Sequence, residues 1–112
     1  MTVYVANLQI EQGMDFEHLF SLGDNDNNTT LNLSGFSISA YLRKWSGSTT
    51  HTAFTASIPA PVDGEIKLEM TDTTTNTLSP GRYVYDVVIT DSSSKKYKVV
   101  EGSVLVRQGV TR

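Results

Sequence analysis

The sequence contains no cysteine among its 112 residues, only three prolines and one tryptophan. The lack of cysteine excludes a disulfide scaffold and a cysteine-ligated zinc site. No apolar run approaches the roughly 20 residues that a membrane-spanning helix requires, so we expect no membrane partner. Lys and Arg number 9 against 12 Asp and Glu, which gives a net charge of −3. This weak acidity provides no electrostatic reason to bind nucleic acid.

Hydroxyl side chains are abundant instead, with 14 Thr and 12 Ser. Thr favours strands and Ser favours turns, so the composition predicts a β protein. The length predicts one domain, residues 1–112, with a loose tail at 108–112. Residues 1–10 have neither the basic nor the long apolar segment of a signal peptide. We therefore expect a protein that is not secreted by this route and stays in a reducing cytoplasm, where it is free to enter a particle assembled there.

The dominant hydrophobic period is two residues, which is typical of half-buried strands. Turn signals such as Asp63-Gly64 and Pro80-Gly81 separate the alternating segments. About seven strands at this spacing predict an all-β antiparallel sandwich or barrel. The predicted strands cover residues 4–10, 14–22, 36–43, 54–58, 65–70, 82–90 and 97–106. Pro59 and Pro61 are expected to end the fourth strand, and Gly102 is expected to mark a bulge or a close approach of backbone in the seventh. The Thr-rich stretch 71–78 is the one candidate helical turn.

The sixth strand is apolar on both faces except at Asp86. Two interpretations remain open. The strand is either central and covered on both sides within its own domain, or it packs one face on the core and the other on another subunit.

Few residues offer catalytic chemistry. His18 alternates with Phe16 and Phe20, which favours a half-buried structural role, and no nucleophile motif surrounds it. Asp86 and Glu101 would face each other if the last two strands form a hairpin, and they could then act as an acid/base pair. The alternative for both carboxylates is an ion pair with Arg or Lys, or simple exposure. We expect no enzyme activity and no cofactor.

Asp24, Asp26 and Asn28 resemble the start of a calcium loop, because hard cations prefer several oxygens on a tight turn. The pattern then fails, since the sixth position is Thr29 and the twelfth is Gly35. We expect no metal site, and whether these three residues hold an ion is left open by the sequence.

Tyr41, Arg43 and Trp45 lie at the end of the third strand on its polar face. Tyr, Arg and Trp are enriched in interface hot spots, so these residues predict a contact surface, and Tyr85 is a further candidate for it. Packing of Trp45 on its own domain is the alternative.

The stretch 78–87, LSPGRYVYDV, places a Leu and a Pro-Gly turn before an aromatic strand. It resembles the entry to strand F of immunoglobulin-like sandwiches, in which a corner tyrosine donates a hydrogen bond back to the preceding backbone. The resemblance implies that Pro80 and Gly81 form the corner and that Tyr83 is the corner tyrosine. It also implies an immunoglobulin-like fold without the disulfide.

The wider pattern resembles small virion proteins of tailed bacteriophages, of the cyanobacterial myovirus type, and the immunoglobulin-like modules of phage baseplates. The residues that carry it are Gly13, Phe16, Phe20, Leu31, Leu33, Gly35, Phe36, Arg43, Phe54, Gly64, Ile66, Leu68, Leu78, Pro80, Gly81, Tyr83, Tyr85, Asp86, Val87, Glu101, Gly102, Val104, Val106, Val110 and Thr111.

This resemblance implies a non-enzymatic structural or assembly protein of the tail, baseplate or capsid. Its partners would be other virion proteins or further copies of the chain in a homo-oligomer, with no small-molecule ligand. It would reside in the virion, and in the host cytoplasm during assembly. The alternative is an immunoglobulin-like binding module for carbohydrate or a host-surface ligand, and a hydrolase using Asp86 and Glu101 is a third hypothesis.

Overall fold

A computed structural model describes residues 3–24, 29–30 and 32–110. Its elements, in chain order, are β1 (Tyr4–Val5), β2 (Leu8–Glu11), β3 (Phe16–Ser21), β4 (Gly23–Asp24), β5 (Thr29–Thr30), β6 (Ser37–Arg43), β7 (Thr52–Ala53), β8 (Thr55–Ala60), a 3-10 turn (Pro61–Asp63), β9 (Glu65–Met70), α1 (Asp72–Thr75), β10 (Gly81–Thr90) and β11 (Lys96–Arg107).

Two sheets make up the fold. The large sheet has the order β1-β11-β10-β6-β7, and β2 continues the edge beside β11. The second sheet has the order β3-β9-β8, and β4 and β5 form a separate hairpin. Pairing is antiparallel throughout except that β1 and β2 run parallel to β11. The predicted all-β sandwich is confirmed, while the immunoglobulin-like assignment stays a prediction.

The core lies between the two sheets, because period-two alternation places every second side chain on the inner face. In β9 the three inner residues Ile66, Leu68 and Met70 are buried. In β10 the inner residues from Tyr85 to Ile89 are buried and the outer ones are not. The sequence pattern therefore predicted the location of both strands, and for β9 it also predicted which side chains face the core.

The edge strands depart from the predicted bounds. The first predicted strand is interrupted at Ala6 and Asn7, where β1 ends and β2 has not begun. The fourth divides at Phe54: β7 pairs in the large sheet and β8 in the second. The prediction that Pro59 ends this strand is wrong. Pro59 lies within β8, inside the register shift between Ser57 and Ala60, and an edge position tolerates a residue without an N–H.

The stretch 71–78 contains one helical turn, α1, and hydrogen bonds to residues 12–14 hold this stretch in place. The hydroxyl of Thr75, which is fully buried, donates to Met14 O at 2.8 Å and accepts from Gly13 N at 3.1 Å. Gln12 Nε2 donates to Leu78 O at 3.0 Å. Thr is poor helix material, so these side-chain bonds to the β2–β3 turn hold a turn that propensity alone would not form.

Gly102 is a point of close backbone approach, as predicted. A Cβ placed on it would lie 2.1 Å from Ala6 O. The predicted alternative, a bulge at Gly102, is wrong, because the register shift of β10 and β11 lies between Val87 and Val88. There Val99 is the extra residue, and it is buried together with Val100.

Candidate functional site

The outer face of the large sheet brings together side chains from four strands. The β-ladder registers align Tyr41 of β6 with Asp86 of β10, Asp86 with Glu101 of β11, and Glu101 with Val5 of β1. Partners in a ladder point to the same side of a sheet, so these four residues form one row across the face. We call the surface made by this row and the adjacent Arg43, Val84 and Lys98 the outer face.

The outer face contains a shallow depression of about 370 Å³. Its apolar wall is exposed: Val5 is 72% accessible, Tyr41 40% and Val84 38%. Arg43 and the charged residues of β10 and β11 complete the lining. The prediction that the sixth strand is covered on both sides within its own domain does not fit Val84, whereas cover by another subunit stays a prediction.

Charge on this face is arranged around Lys98. Its Nζ lies 3.6 Å from Asp86 Oδ2 and 3.3 Å from Glu101 Oε1. The hydrogen bond to Glu101, followed by the attraction of Asp86, raises the pKa of Lys98. All three side chains are more than 40% accessible, so water screens the attraction and it adds little to stability.

The two carboxylates do face each other across the β10–β11 hairpin, as the sequence suggested. Their shared contact with Lys98 agrees with the ion-pair interpretation of Asp86 and Glu101. The expectation that the chain is not an enzyme stays a prediction.

Arg43 and Tyr41 are held by the loop that follows β6. Arg43 Nη1 donates to Ser48 O at 2.8 Å, and the Tyr41 ring meets the edge of His51 with centroids 4.6 Å apart. Both side chains therefore keep a defined orientation at the margin of the depression.

Trp45 projects from the same loop and is 61% accessible. Its indole covers Gly47, where an added Cβ would lie 2.2 Å from Cζ3. Trp45 thus packs partly on its own loop and presents the rest of its ring to solvent. It lies next to the depression and not within its lining.

Tyr85 does not belong to an exposed contact surface, and that prediction is wrong. Its side chain is on the inner side of β10, only 4% accessible, with its ring against Phe54 at 6.0 Å. Its hydroxyl donates to Ala6 O at 2.5 Å. Burial raises the pKa of Tyr85 to about 12. Tyr83 and Tyr85 are two residues apart, so both project toward the same side of β10. Tyr85 is nevertheless among the residues that line the depression.

The predicted corner forms at residues 79–83. Tyr83 Oη donates to Ser79 O at 2.7 Å, which is the backbone bond expected of a corner tyrosine. Gly81, next to Pro80, has φ 141°, a conformation that suits glycine. Lys44 Nζ lies 4.7 Å from the centre of the Tyr83 ring. The corner is a structural feature that connects β10 to the end of β6.

The other candidate residues lie apart from the outer face. His18 is exposed and not half-buried, with its ring against Phe20 at 4.5 Å, because β3 is an edge strand. Asp26 and Asn28 lie outside the described residues, and Asp24 is described only as part of β4. Over residues 3–24, 29–30 and 32–110, no three His, Asp or Glu side chains are grouped as metal ligands would be. No helix in that part of the chain is both long and apolar enough to cross a membrane.

Sequence reasoning missed Val5 and Lys98 as members of the outer face. The alternation of the sixth strand already placed Val84 outward, but Val5 joins the face only because β1 pairs parallel to β11. Lys98 joins it because the bulge at Val99 resets the alternation of β11. Neither event has a short-range sequence signal.

No family model and no curated protein matches this chain. Solved structures of low similarity include an internalin-like protein of Listeria monocytogenes, with 14% identity and a TM-score of 0.47, covering 96% of this chain and 28% of that one. A family 123 glycoside hydrolase of Clostridium perfringens has 13% identity and a TM-score of 0.46, covering 100% of this chain and 24% of that one. The chain thus spans about a quarter of the length of each.

Proposed function

We propose that this protein is a non-catalytic structural module of a bacteriophage virion, held in the tail, baseplate or capsid by protein contacts through the outer face. The observation that carries the proposal is the exposed apolar wall of that face, formed by Val5, Tyr41 and Val84 and flanked by Trp45. Adjacent exposed apolar residues with a polar rim are typical of protein interfaces.

The chemistry of the rim fits a protein partner. Tyr41, Arg43 and Trp45 are of the residue types that dominate interface energetics, and two of them have little rotamer freedom left to lose. Arg43 is tethered by Ser48 and Tyr41 by His51, so ordering them on binding costs little. The proposal of a virion role rests in addition on the resemblance of the sequence to small phage structural proteins. Under this proposal the protein resides in the particle and, during assembly, in the host cytoplasm.

The test is incorporation into particles. Virions purified by density gradient from the phage that encodes the chain are analysed by quantitative mass spectrometry, with wild type and Val84→Glu compared. We expect wild type to co-sediment at a fixed copy number and Val84→Glu to be depleted at least tenfold. Val62→Glu is the matched control, since Val62 is 65% accessible and lies in the 3-10 turn, away from the outer face. Wild type that remains wholly in the soluble fraction would refute the proposal.

A second candidate function is a carbohydrate-binding module, favoured by the aromatic residues Tyr41 and Trp45 beside a depression of about 370 Å³ that Arg43 and charged residues help to line. Sugars stack on exposed aromatic faces and hydrogen-bond to Arg and carboxylates. A glycan array with wild type and Trp45→Ala separates the two functions. Binding that is lost in Trp45→Ala supports the module, and no binding by either protein removes it.

A further inference from the structure

The second sheet has an edge strand, β3, that differs from the other sheet edges. It pairs with β9 on one side and with no described strand on the other. Its six residues, FEHLFS, contain no proline, glycine or lysine, and no register shift interrupts its ladder. An uninterrupted edge of this kind presents a row of backbone donors and acceptors that another strand can pair with.

The other edges in the described part of the two sheets carry the features that block such pairing. β8 contains Pro59 and a register shift. β7 has two residues. The edge made by β1 and β2 breaks at Asn7, whose Oδ1 accepts from Ser103 N and Ser103 Oγ, both at 3.1 Å. In natural sheets prolines, bulges, breaks and short strands prevent edge-to-edge association. Among the described edges β3 is the longest that none of these features interrupts, so it points to a partner.

The side chains of β3 support the same conclusion. Leu19 points outward and is 50% accessible, and Phe16 and Phe20 on the inner side are only half-buried. His18, also on the inner side and aligned with the buried Leu68, is exposed, and no described strand lies beyond it at this edge. Apolar area therefore remains on both faces of the strand, where an added strand would cover it.

We propose that β3 pairs with β3 of a second copy of this chain, antiparallel and about a two-fold axis at His18. Since the other described edges of a copy are shorter or interrupted, its β3 is the edge best suited to pair with β3 of the first copy. The inference concerns a surface other than the outer face and does not depend on the proposed function.

The register follows from the charges and the aromatic residues. An axis at Glu17 would oppose two carboxylates, and an axis at Leu19 would oppose Phe16 to Leu22, which has left the strand and is 2% accessible. An axis at His18 opposes Phe16 to the partner's Phe20 and Glu17 to the partner's Leu19. Aromatic cross-strand pairs stabilise sheets and like charges directly opposite destabilise them.

The first experiment uses the sign of the charge at Leu19. Analytical ultracentrifugation over a concentration series compares wild type, Leu19→Lys and Leu19→Glu, with Val84→Glu as a control for the outer face. We expect wild type and Val84→Glu to dimerise equally. Lys at 19 lies opposite the partner's Glu17 and preserves the dimer, whereas Glu at 19 raises the dissociation constant about tenfold. Equal losses in the two Leu19 variants, or a wild type that stays monomeric throughout, would overturn the proposal.

The second experiment exploits the absence of cysteine. In His18→Cys the two thiols lie directly opposite, with Cα atoms about 5 Å apart, within the reach of a disulfide. In Ser21→Cys the six-residue offset separates them by about 20 Å. Under mild oxidation we expect a rapid disulfide-linked dimer only from His18→Cys. Equal rates in the two variants would mean random collision and would contradict the pairing. If His18→Cys forms no rapid disulfide-linked dimer while Val84→Glu is still depleted from particles, the β3 pairing is overturned and the proposed function stands.

Discussion

Replacing Gly102 with alanine tests how the edge made by β1 and β2 is attached to the large sheet. The new Cβ would lie 2.1 Å from Ala6 O and 2.8 Å from Ala6 C, both backbone atoms. Ordinary contact begins at 3.4 Å, so the backbone at Ala6 must retreat by more than 1 Å. No side-chain rotation relieves this clash, and the strain falls on a short edge strand.

The cost follows from the bonds at that point. The retreat breaks two hydrogen bonds. One is donated by Ala6 N to Glu101 O at 3.0 Å, and the other by Tyr85 Oη to Ala6 O. It also strains the two bonds to Asn7 Oδ1. A hydrogen bond contributes about 1 kcal/mol net, and water replaces part of the loss at an edge, so we expect a decrease of about 2 kcal/mol in the free energy of unfolding. For a domain of this size that corresponds to a fall in Tm of about 8 °C.

Urea unfolding monitored by circular dichroism measures the change, and hydrogen exchange locates it. Gly35→Ala is the control: Gly35 has φ +82° and nothing within 4 Å of an added Cβ, so it reports conformational strain without a clash. That strain costs about 1 kcal/mol. In Gly102→Ala the amide of Ala6 should exchange much faster than in wild type. A loss no larger than that of Gly35→Ala, with the Ala6 amide still protected, would refute the close-approach argument.

Three further outcomes are expected. Thr75→Val keeps the shape of a buried side chain but leaves its backbone partners unpaired, so it should lower the free energy of unfolding in urea by about 2 kcal/mol. Thr77→Val, on the exposed side of the same segment, is the control and should lower it by less than about 0.5 kcal/mol. Tyr83→Phe removes the corner bond and should cost about 1 kcal/mol in the same assay, and an unchanged stability would mean that this bond contributes nothing. Burial raises the pKa of Tyr85 from 10.0 to about 12, so the folded state keeps this proton up to a higher pH than the unfolded state does. The free energy of unfolding should therefore fall between pH 10 and 12. Urea unfolding of Tyr85→Phe over this pH range should show a smaller decrease than wild type does.

Much of the fold could be read from local patterns. The strands near 37–43, 65–70, 81–90 and 96–107 were predicted within a few residues, because the first two alternate strictly and clusters of turn residues precede the last two. The corner at Tyr83 was predictable for the same reason, since a Pro-Gly turn before an aromatic strand restricts the backbone.

The candidate site was only half predictable. Tyr41 and Arg43 lie on the outer side of β6, as the alternation of the strand indicated, and Trp45 is exposed in the loop that follows. Tyr85 was assigned to the wrong side, because the sixth strand is apolar on both faces and its period alone does not tell inside from outside. Only the pairing of β10 with β6 and β11, and the Tyr85 contacts with Phe54 and Ala6, decide that it faces the core.

The sequence by itself determined the class of fold and the places where the chain turns, since hydrophobic period and turn chemistry act over a few residues. The tertiary structure decided which strands lie at edges, where β11 carries its bulge, and how Val5, Tyr41, Asp86 and Lys98 come to share one face. These features depend on contacts between residues up to about a hundred positions apart. Such contacts are selected by the packing of the whole domain, and no local segment encodes them.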